Sequence, residues 1–253
     1  MSWAVGRRVL VISIMVAVAA ALLAVLAIPF FIHAPTCFDS RQDGTETGVD
    51  CGGTCTTLCT AAEAPATVKF VRALRNQNRT DVVAYIDNPN ADAYAKGAGI
   101  TVEVYDENHN LLQKRDLSID LPPASRTPLF LPGFYQGIAT TTEAFITFAQ
   151  GAPVWQRAQA KAPLPSAGGP QFGTDLLAPK VTGVLTNPTA RNLYDTKVVA
   201  VIYDAQNTVI GASQTIVPKL SPQGTAALIF TWNQPFLSTP VRAELVTVPT
   251  LAP

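Results

Sequence analysis

Between Val9 and Ile32 the chain runs VLVISIMVAVAAALLAVLAIPFFI, without a charge and with Ser13 as its only hydroxyl. No other feature narrows so far what this chain can be. At ~1.5 Å per residue a helix of that length reaches about 36 Å, enough to cross a ~30 Å hydrocarbon core with some tilt. A helix is the required form, because each backbone N–H and C=O must find its partner inside the segment when no water is present. Pro29 sits near the outer end, where a missing backbone bond costs least. Arg7 and Arg8 precede the run, and no acidic residue occurs before Asp39, so the positive-inside rule puts the N-terminus in the cytoplasm. Trp3 and Phe30-Phe31 flank the two interfaces. The competing reading is a cleaved signal peptide, whose apolar region is shorter (about 7–15 residues) and ends in small residues. Here the run ends in Pro29-Phe30-Phe31-Ile32, which favours an uncleaved anchor. Cys37 follows Ala34-Pro35-Thr36, which lacks the Leu and small residues that precede a lipidation cysteine.

An anchor of this orientation exports everything after it. All four cysteines, Cys37, Cys51, Cys55 and Cys59, lie just beyond it. An even, clustered count in an oxidising compartment predicts two disulfides, with three pairings open. The segment has few large apolar residues (Phe38, Val49, Leu58), so covalent staples must hold it. Zinc is the alternative, against which stand the spacing and the absence of His within the module. Between the first two cysteines, Asp39, Asp43 and Asp50 fall at positions 1, 5 and 12 of a calcium-loop count, with Gly44 at the turn. Arg41 occupies position 3, where a ligand belongs, so a solvated acidic turn with Asx bonds competes with calcium. The stretch CFDSRQDGTETGVDCGGTC resembles a small cysteine motif of bacterial surface proteins, of the form C-x-D-G-x-x-N-G-x-E-T-x-V-D-C-G-G-x-C. That resemblance implies an extracytoplasmic setting and no activity.

The remainder reads as two related halves. Val82-Val83-Ala84-Tyr85-Ile86-Asp87-Asn88-Pro89 is matched by Val181-Thr182-Gly183-Val184-Leu185-Thr186-Asn187-Pro188. Strands ending in Tyr105-Asp106 and Tyr203-Asp204 follow, then hairpin turns at Asn108-His109-Asn110 and Gln206-Asn207-Thr208, then Leu121-Pro122-Pro123 and Leu220-Ser221-Pro222. A nearly constant offset across these landmarks points to a duplication. Turn signals at ~8–12-residue intervals predict a β-sandwich of roughly seven strands in each half. Ile100, Val102 and Val104 alternate with Thr101, Glu103 and Tyr105, giving one core face. Val198-Val199-Ala200-Val201-Ile202 is apolar on both faces, which a strand covered on both sides would explain. The two sandwiches packing on each other is the sharper version of that reading. The pattern strand-Asn-Pro, strand-Tyr-Asp, hairpin, Leu-x-Pro resembles the FxLYD-type domains of bacterial envelope proteins, similar to immunoglobulin-like sandwiches. The motif's Leu-Tyr-Asp appears as Val104-Tyr105-Asp106 and Ile202-Tyr203-Asp204. The resemblance implies an all-β fold and a noncatalytic role.

The resulting division is a cytoplasmic N-terminus (1–8), a transmembrane signal-anchor helix (9–32), a cysteine-rich module (37–59), a β-sandwich (66–158), a Pro/Gly/Ala linker (159–174) and a second sandwich (175–253). The linker rests on Ala162-Pro163-Leu164-Pro165-Ser166-Ala167-Gly168-Gly169-Pro170. Trp155 just before it either caps the first sandwich or packs on the second.

Chemistry is sparse. Beyond Arg7 and Arg8, 16 basic residues face 18 acidic ones, so nothing draws the exported part to nucleic acid. His33 lies at the membrane surface and His109 in a turn, and neither has the surroundings of a catalytic base. Asp106 and Asp204 recur at matched positions, which favours a structural part in the following turn. Phe230, Trp232 and Phe236 read as core packing, with an exposed recognition patch as the alternative. Asn78-Arg79-Thr80 fits a glycosylation sequon. The expectation is a noncatalytic, membrane-anchored protein presenting two immunoglobulin-like domains to an envelope or surface protein or a glycan. The alternative is an accessory subunit of a secretion, pilus or transport complex, in which Ala19-Ala20-Ala21 would pack the helix on a neighbour.

Overall fold

The computed structural model describes residues 3–31, 36–76, 78–137, 140–158 and 163–249. The chain divides into two compact units, Met1–Cys55 and Thr56–Pro253.

The first unit opens with α1 (Trp3–Phe31). Its stretch Gly6–Ala27 has a mean hydropathy of 3.1 and is long and apolar enough to cross a membrane. Apart from the half-buried Ala27, the described side chains of α1 are exposed, so no apolar stripe is turned to a protein core. Ile32 and His33 lie outside the described residues. After the helix, residues 36–55 form turns closed by the Cys37–Cys55 disulfide, whose Cα atoms are 5.8 Å apart. Cys51 and Cys59 are also disulfide-bonded, so none of the four carries a thiol. Two disulfides are therefore present, and the zinc alternative is set aside because a thiolate is needed to bind the metal. One glycine of the Cys-Gly-Gly run is dictated by close approach. Gly53 has φ +55°, and a Cβ there would lie 1.9 Å from the Thr45 carbonyl oxygen.

The second unit is β apart from one 3-10 turn at Thr60–Ala62. Its first sandwich comprises β1 (Thr67–Asn76), β2 (Arg79–Asn88), β3 (Ala93–Asp106), β4 (Leu111–Leu121), β5 (Ser125–Gln136), β6 (Thr141–Phe148) and the two-residue β7 (Gln156–Arg157). Its second comprises β8 (Ser166–Phe172), β9 (Lys180–Thr186), β10 (Leu193–Tyr203), β11 (Val209–Leu220), β12 (Thr225–Thr231) and β13 (Arg242–Thr247). Sheet orders are β1-β2-β5 and β4-β3-β6 in the first, and β8-β9-β12 and β11-β10-β13 in the second. The second order repeats the first strand for strand, and every pairing is antiparallel. Among the described residues six strands form the body of each sandwich, and β7 is a seventh in the first through its short pairing with the start of β3.

The linker expected over residues 159–174 requires correction. Ser166–Phe172 is β8, hydrogen-bonded to β9 from Ser166↔Thr186 to Phe172↔Val181. The residues that resemble a linker make its bulge. The register shifts between Gly168 and Gln171, Gly169 has φ +62°, and Pro170 needs no ladder partner because β8 is an edge strand.

The two sandwiches share local wiring as well as topology. The amide of Asn88 donates to the carbonyls of Ala93 (2.8 Å), Leu121 (3.3 Å) and Pro122 (2.8 Å), while its oxygen accepts from Asn90 N. Asn187 does the same with Arg191 (2.8 Å), Leu220 (3.4 Å), Ser221 (2.9 Å) and Thr189 N. Both side chains are buried. Each ties the end of one strand to the far end of a hairpin in the facing sheet, which is why the Asn-Pro landmark recurs.

Three cores result. Val82, Ile86, Ile100, Val102, Val104, Phe134 and Trp155 fill the first sandwich, so Trp155 belongs to that core. Val181, Leu185, Ala200, Ile202, Leu228 and Phe230 fill the second. Between them lies a third, built from Val83 and Tyr85 on one side and Val199, Val201, Tyr203, Val209 and Ala212 on the other. Thus β2 and β10 are each buried on both faces, as the unbroken apolar run in β10 requires. The sheet β1-β2-β5 packs on β11-β10-β13, and the sandwiches are one compact body.

Candidate functional site

The seam between the sandwiches ends in a groove, and strand register decides what lines it. On the outer face of β1-β2-β5, Phe70 pairs with Tyr85 and Asp87 with Arg126. On the facing sheet, Tyr203 pairs with Arg242 and Val201 with Glu244. Period-2 alternation sends these side chains toward one another. Of these, Phe70, Tyr85, Arg126, Tyr203, Arg242 and Glu244 join Lys69, Arg72, Asn207 and Val209 in lining an open cavity of about 370 Å³.

Arg126 donates in parallel to both oxygens of Asp87 (2.9 and 3.2 Å) and lies 5.1 Å from the Tyr85 ring centroid. Lys69 Nζ reaches the same carboxylate at 3.8 Å. Across the groove Arg242 pairs with Glu244, donates to Asn207 Oδ1 (2.6 Å) and stacks 3.8 Å from the Tyr203 centroid. The Tyr203 hydroxyl donates to Glu244 Oε2 at 3.1 Å. Phe70 is tilted against Tyr85 at 4.9 Å and edge-on to Tyr203 at 6.5 Å. The Tyr85 side chain is buried, and its hydroxyl lies near Glu244 and Tyr203 without a well-formed hydrogen bond to either. An unmade bond at a buried polar atom costs about 1–3 kcal/mol. Burial, then the charges of Tyr203 and Glu244, hold the Tyr85 phenol far above its ordinary range. Burial and then Glu244 push Tyr203 up to about 12. Both phenols are protonated at neutral pH.

The residues singled out in the sequence lie elsewhere. Asp50 accepts from the amides of Asp39 (2.9 Å) and Ser40 (3.1 and 3.0 Å), and Asp39 accepts from Arg41 N (3.0 Å). Asp43 N donates to Glu46, and Glu46 also accepts from Asp50 N. The calcium site expected of Asp39, Asp43 and Asp50 is not assembled, because the first and last carboxylates are turned onto the chain's own amides. Among the described residues the only group with metal-like convergence is Cys37, Glu46 and Cys55, and its sulfurs are oxidised.

Asp106 Oδ1 accepts from Asn108 N (2.9 Å) and Asn110 N (2.8 Å), and Asp204 Oδ1 accepts from Gln206 N (3.0 Å) and Thr208 N (2.8 Å). The left-handed residues His109 (φ 59°) and Asn207 (φ 61°) close the two turns. His109 is exposed, with Nδ1 3.4 Å from Glu143. Phe230 is buried, Trp232 donates to Ala212 O (3.1 Å), and Phe236 packs 5.1 Å from Trp232, so this cluster is core packing. In the sequon, Asn78 is exposed while Thr80 is buried. Bonds from Asn110 hold the Asp106 carboxyl below its usual range. A depressed carboxyl stabilises the fold above its unfolded pKa, and that contribution is lost as pH falls through the folded one. The protection factors of the Asn108 and Asn110 amides, corrected for the intrinsic rate, are therefore expected to fall on acidification before global unfolding. Unchanged protection would show that the turn stands without the carboxylate.

The groove residues were not recognised from sequence. The available signal was Tyr85 and Tyr203 in strands apolar on both faces, since a phenol there must reach a seam for its oxygen.

No protein-family model matches the chain, and no curated protein matches it. The crystal structure of red sea bream transglutaminase aligns with 70% of this chain and 29% of its own, at 13% identity and a TM-score of 0.23. So slight a likeness carries no argument about fold or activity.

Proposed function

We propose that this is a single-pass, extracytoplasmic, noncatalytic binding protein of a cell envelope. In this reading α1 is the anchor, with Arg7 and Arg8 on the cytoplasmic side. The sandwiches are a duplicated immunoglobulin-like domain of the FxLYD type. Their partner is an envelope or surface protein or a glycan. The observation that carries the reading is the third core, which fixes two sandwiches as one platform and leaves a lined groove at their seam. Binding sites are commonly held this way, on loops and edges carried by a rigid scaffold.

Protease added to intact cells is expected to digest the sandwiches, and the four cysteines are expected to resist thiol reagents until reduced. Purified full chain is expected to capture envelope material. Protected sandwiches, reactive thiols or an absence of any capture would each overturn the reading. One feature supports a second reading, an accessory subunit of an envelope complex. Ala19-Ala20-Ala21 forms an exposed small-residue stretch on the helix. Replacing α1 with an unrelated anchor should then abolish assembly, whereas retained capture favours the first reading.

A further inference from the structure

The contents of the seam groove define what it can hold. Lys69, Arg72, Arg126 and Arg242 line it, against the carboxylates of Glu244 in the lining and Asp87 behind it. Among the described residues Arg72 has no ionic partner. Cations are thus in surplus in a chain whose net charge is zero. A simple anion is a poor occupant, because Glu244 faces the same space. The ligand must bring a negative group for the guanidinium side and neutral hydroxyl donors for Glu244 and the Asn207 carbonyl. The Tyr85 hydroxyl is buried beneath the wall, near Glu244 and Tyr203, and is not offered to the cavity. Phe70 supplies an apolar part of the wall, while Arg126 and Arg242 lie over the rings of Tyr85 and Tyr203. The volume, about 370 Å³, falls in the range of about 300–1,000 Å³ usual for small-ligand sites.

We propose that this groove binds an acidic saccharide. Its carboxylate is held by Arg72 with Lys69 and Arg126, and its hydroxyls are read by Glu244 and Asn207. The proposal rests on the reading of the sandwich pair as a binding module and names the ligand class for it. Charge-assisted, two-pronged contact of guanidinium with carboxylate supplies the selectivity against neutral sugars.

The test is a calorimetric titration of the full chain in detergent micelles with digalacturonate, D-glucuronate, D-glucose and inorganic phosphate. Saturable binding of the two uronates is expected, with glucose at least tenfold weaker and phosphate unable to displace digalacturonate. Arg72→Gln, at an exposed position, is expected to weaken uronate binding at least tenfold without changing the unfolding temperature. Tyr85→Phe, which deletes a buried oxygen outside the cavity, is expected to leave uronate binding unchanged and the unfolding temperature equal or higher. Glucose binding as well as glucuronate, phosphate displacing the uronates, or an unchanged affinity in Arg72→Gln would each overturn the proposal. Should the chain capture envelope material yet ignore both uronates, this inference fails and the binding-module reading stands. If it captures neither, both fail.

Discussion

Asn187→Ala is expected to destabilise the β unit by about 3–5 kcal/mol and lower its unfolding temperature by roughly 10 °C. The side chain is fully buried, its amide serves three carbonyls, and its oxygen takes the Thr189 amide and hydroxyl. Alanine removes all of these partners together. Each buried group left unpaired costs about 1–3 kcal/mol, and partial hydration at the loop side holds the sum below the simple total. Asn187→Asp is the sharper variant. It keeps the acceptor but replaces the amide donor with a carboxylate oxygen facing three carbonyls, so it should be at least as damaging. Asn88→Ala should cost a similar amount, because Asn88 serves Ala93, Leu121 and Pro122 in the same way. Denaturant unfolding of the full chain in micelles gives the comparison. A loss under about 1 kcal/mol in either alanine variant would mean that water replaces the amide, and that the shared wiring is incidental to stability.

What the sequence disclosed followed from how local each cause is. The apolar helix, the alternation in β3 and the Asn-Pro and Tyr-Asp landmarks are legible because a single segment carries each of them. The landmarks mark real equivalence, since both asparagines and both aspartates make matching bonds. The two-sided apolar run in β10 revealed the third core, although the same property in Val82–Ile86 of β2 passed as a mere landmark. β8 was hidden because Gly168-Gly169-Pro170 has the composition of a linker, and only pairing with β9 makes it an edge strand with a bulge. The calcium count failed for a different reason. Spacing gives the positions of Asp39 and Asp50 along a loop but not the direction of their oxygens, and the nearest amides captured them. The groove was out of reach. Its lining runs from Lys69 to Glu244 through both sandwiches and exists only because two sheets meet, so no local spacing encodes it.

Val201→Asp tests that meeting directly. Along β10, Val198, Ala200 and Ile202 face the second sandwich's own core, while Val199, Val201 and Tyr203 face the first sandwich. Val201 is 0% exposed, so a carboxylate there enters the third core and leaves the other two untouched. An uncompensated buried charge costs several kcal/mol even after relaxation. The sandwiches can escape that cost by separating, since each retains its own core. The wild type is expected to unfold in one cooperative transition seen alike by Trp155 in the first core and by Trp232 beside the second. In Val201→Asp the two tryptophans should report separate transitions, and the groove between Tyr85 and Tyr203 should be lost. Val201→Ala, which removes volume without charge, should cost about 1–3 kcal/mol and keep a single transition. The pH dependence has a definite sign. Burial raises the new carboxyl's folded pKa, so the defect is full above that value and eases as pH falls toward the unfolded value near 4. Coincident transitions in Val201→Asp at neutral pH would show that the third core does not couple the sandwiches, and the platform would then be two independent domains.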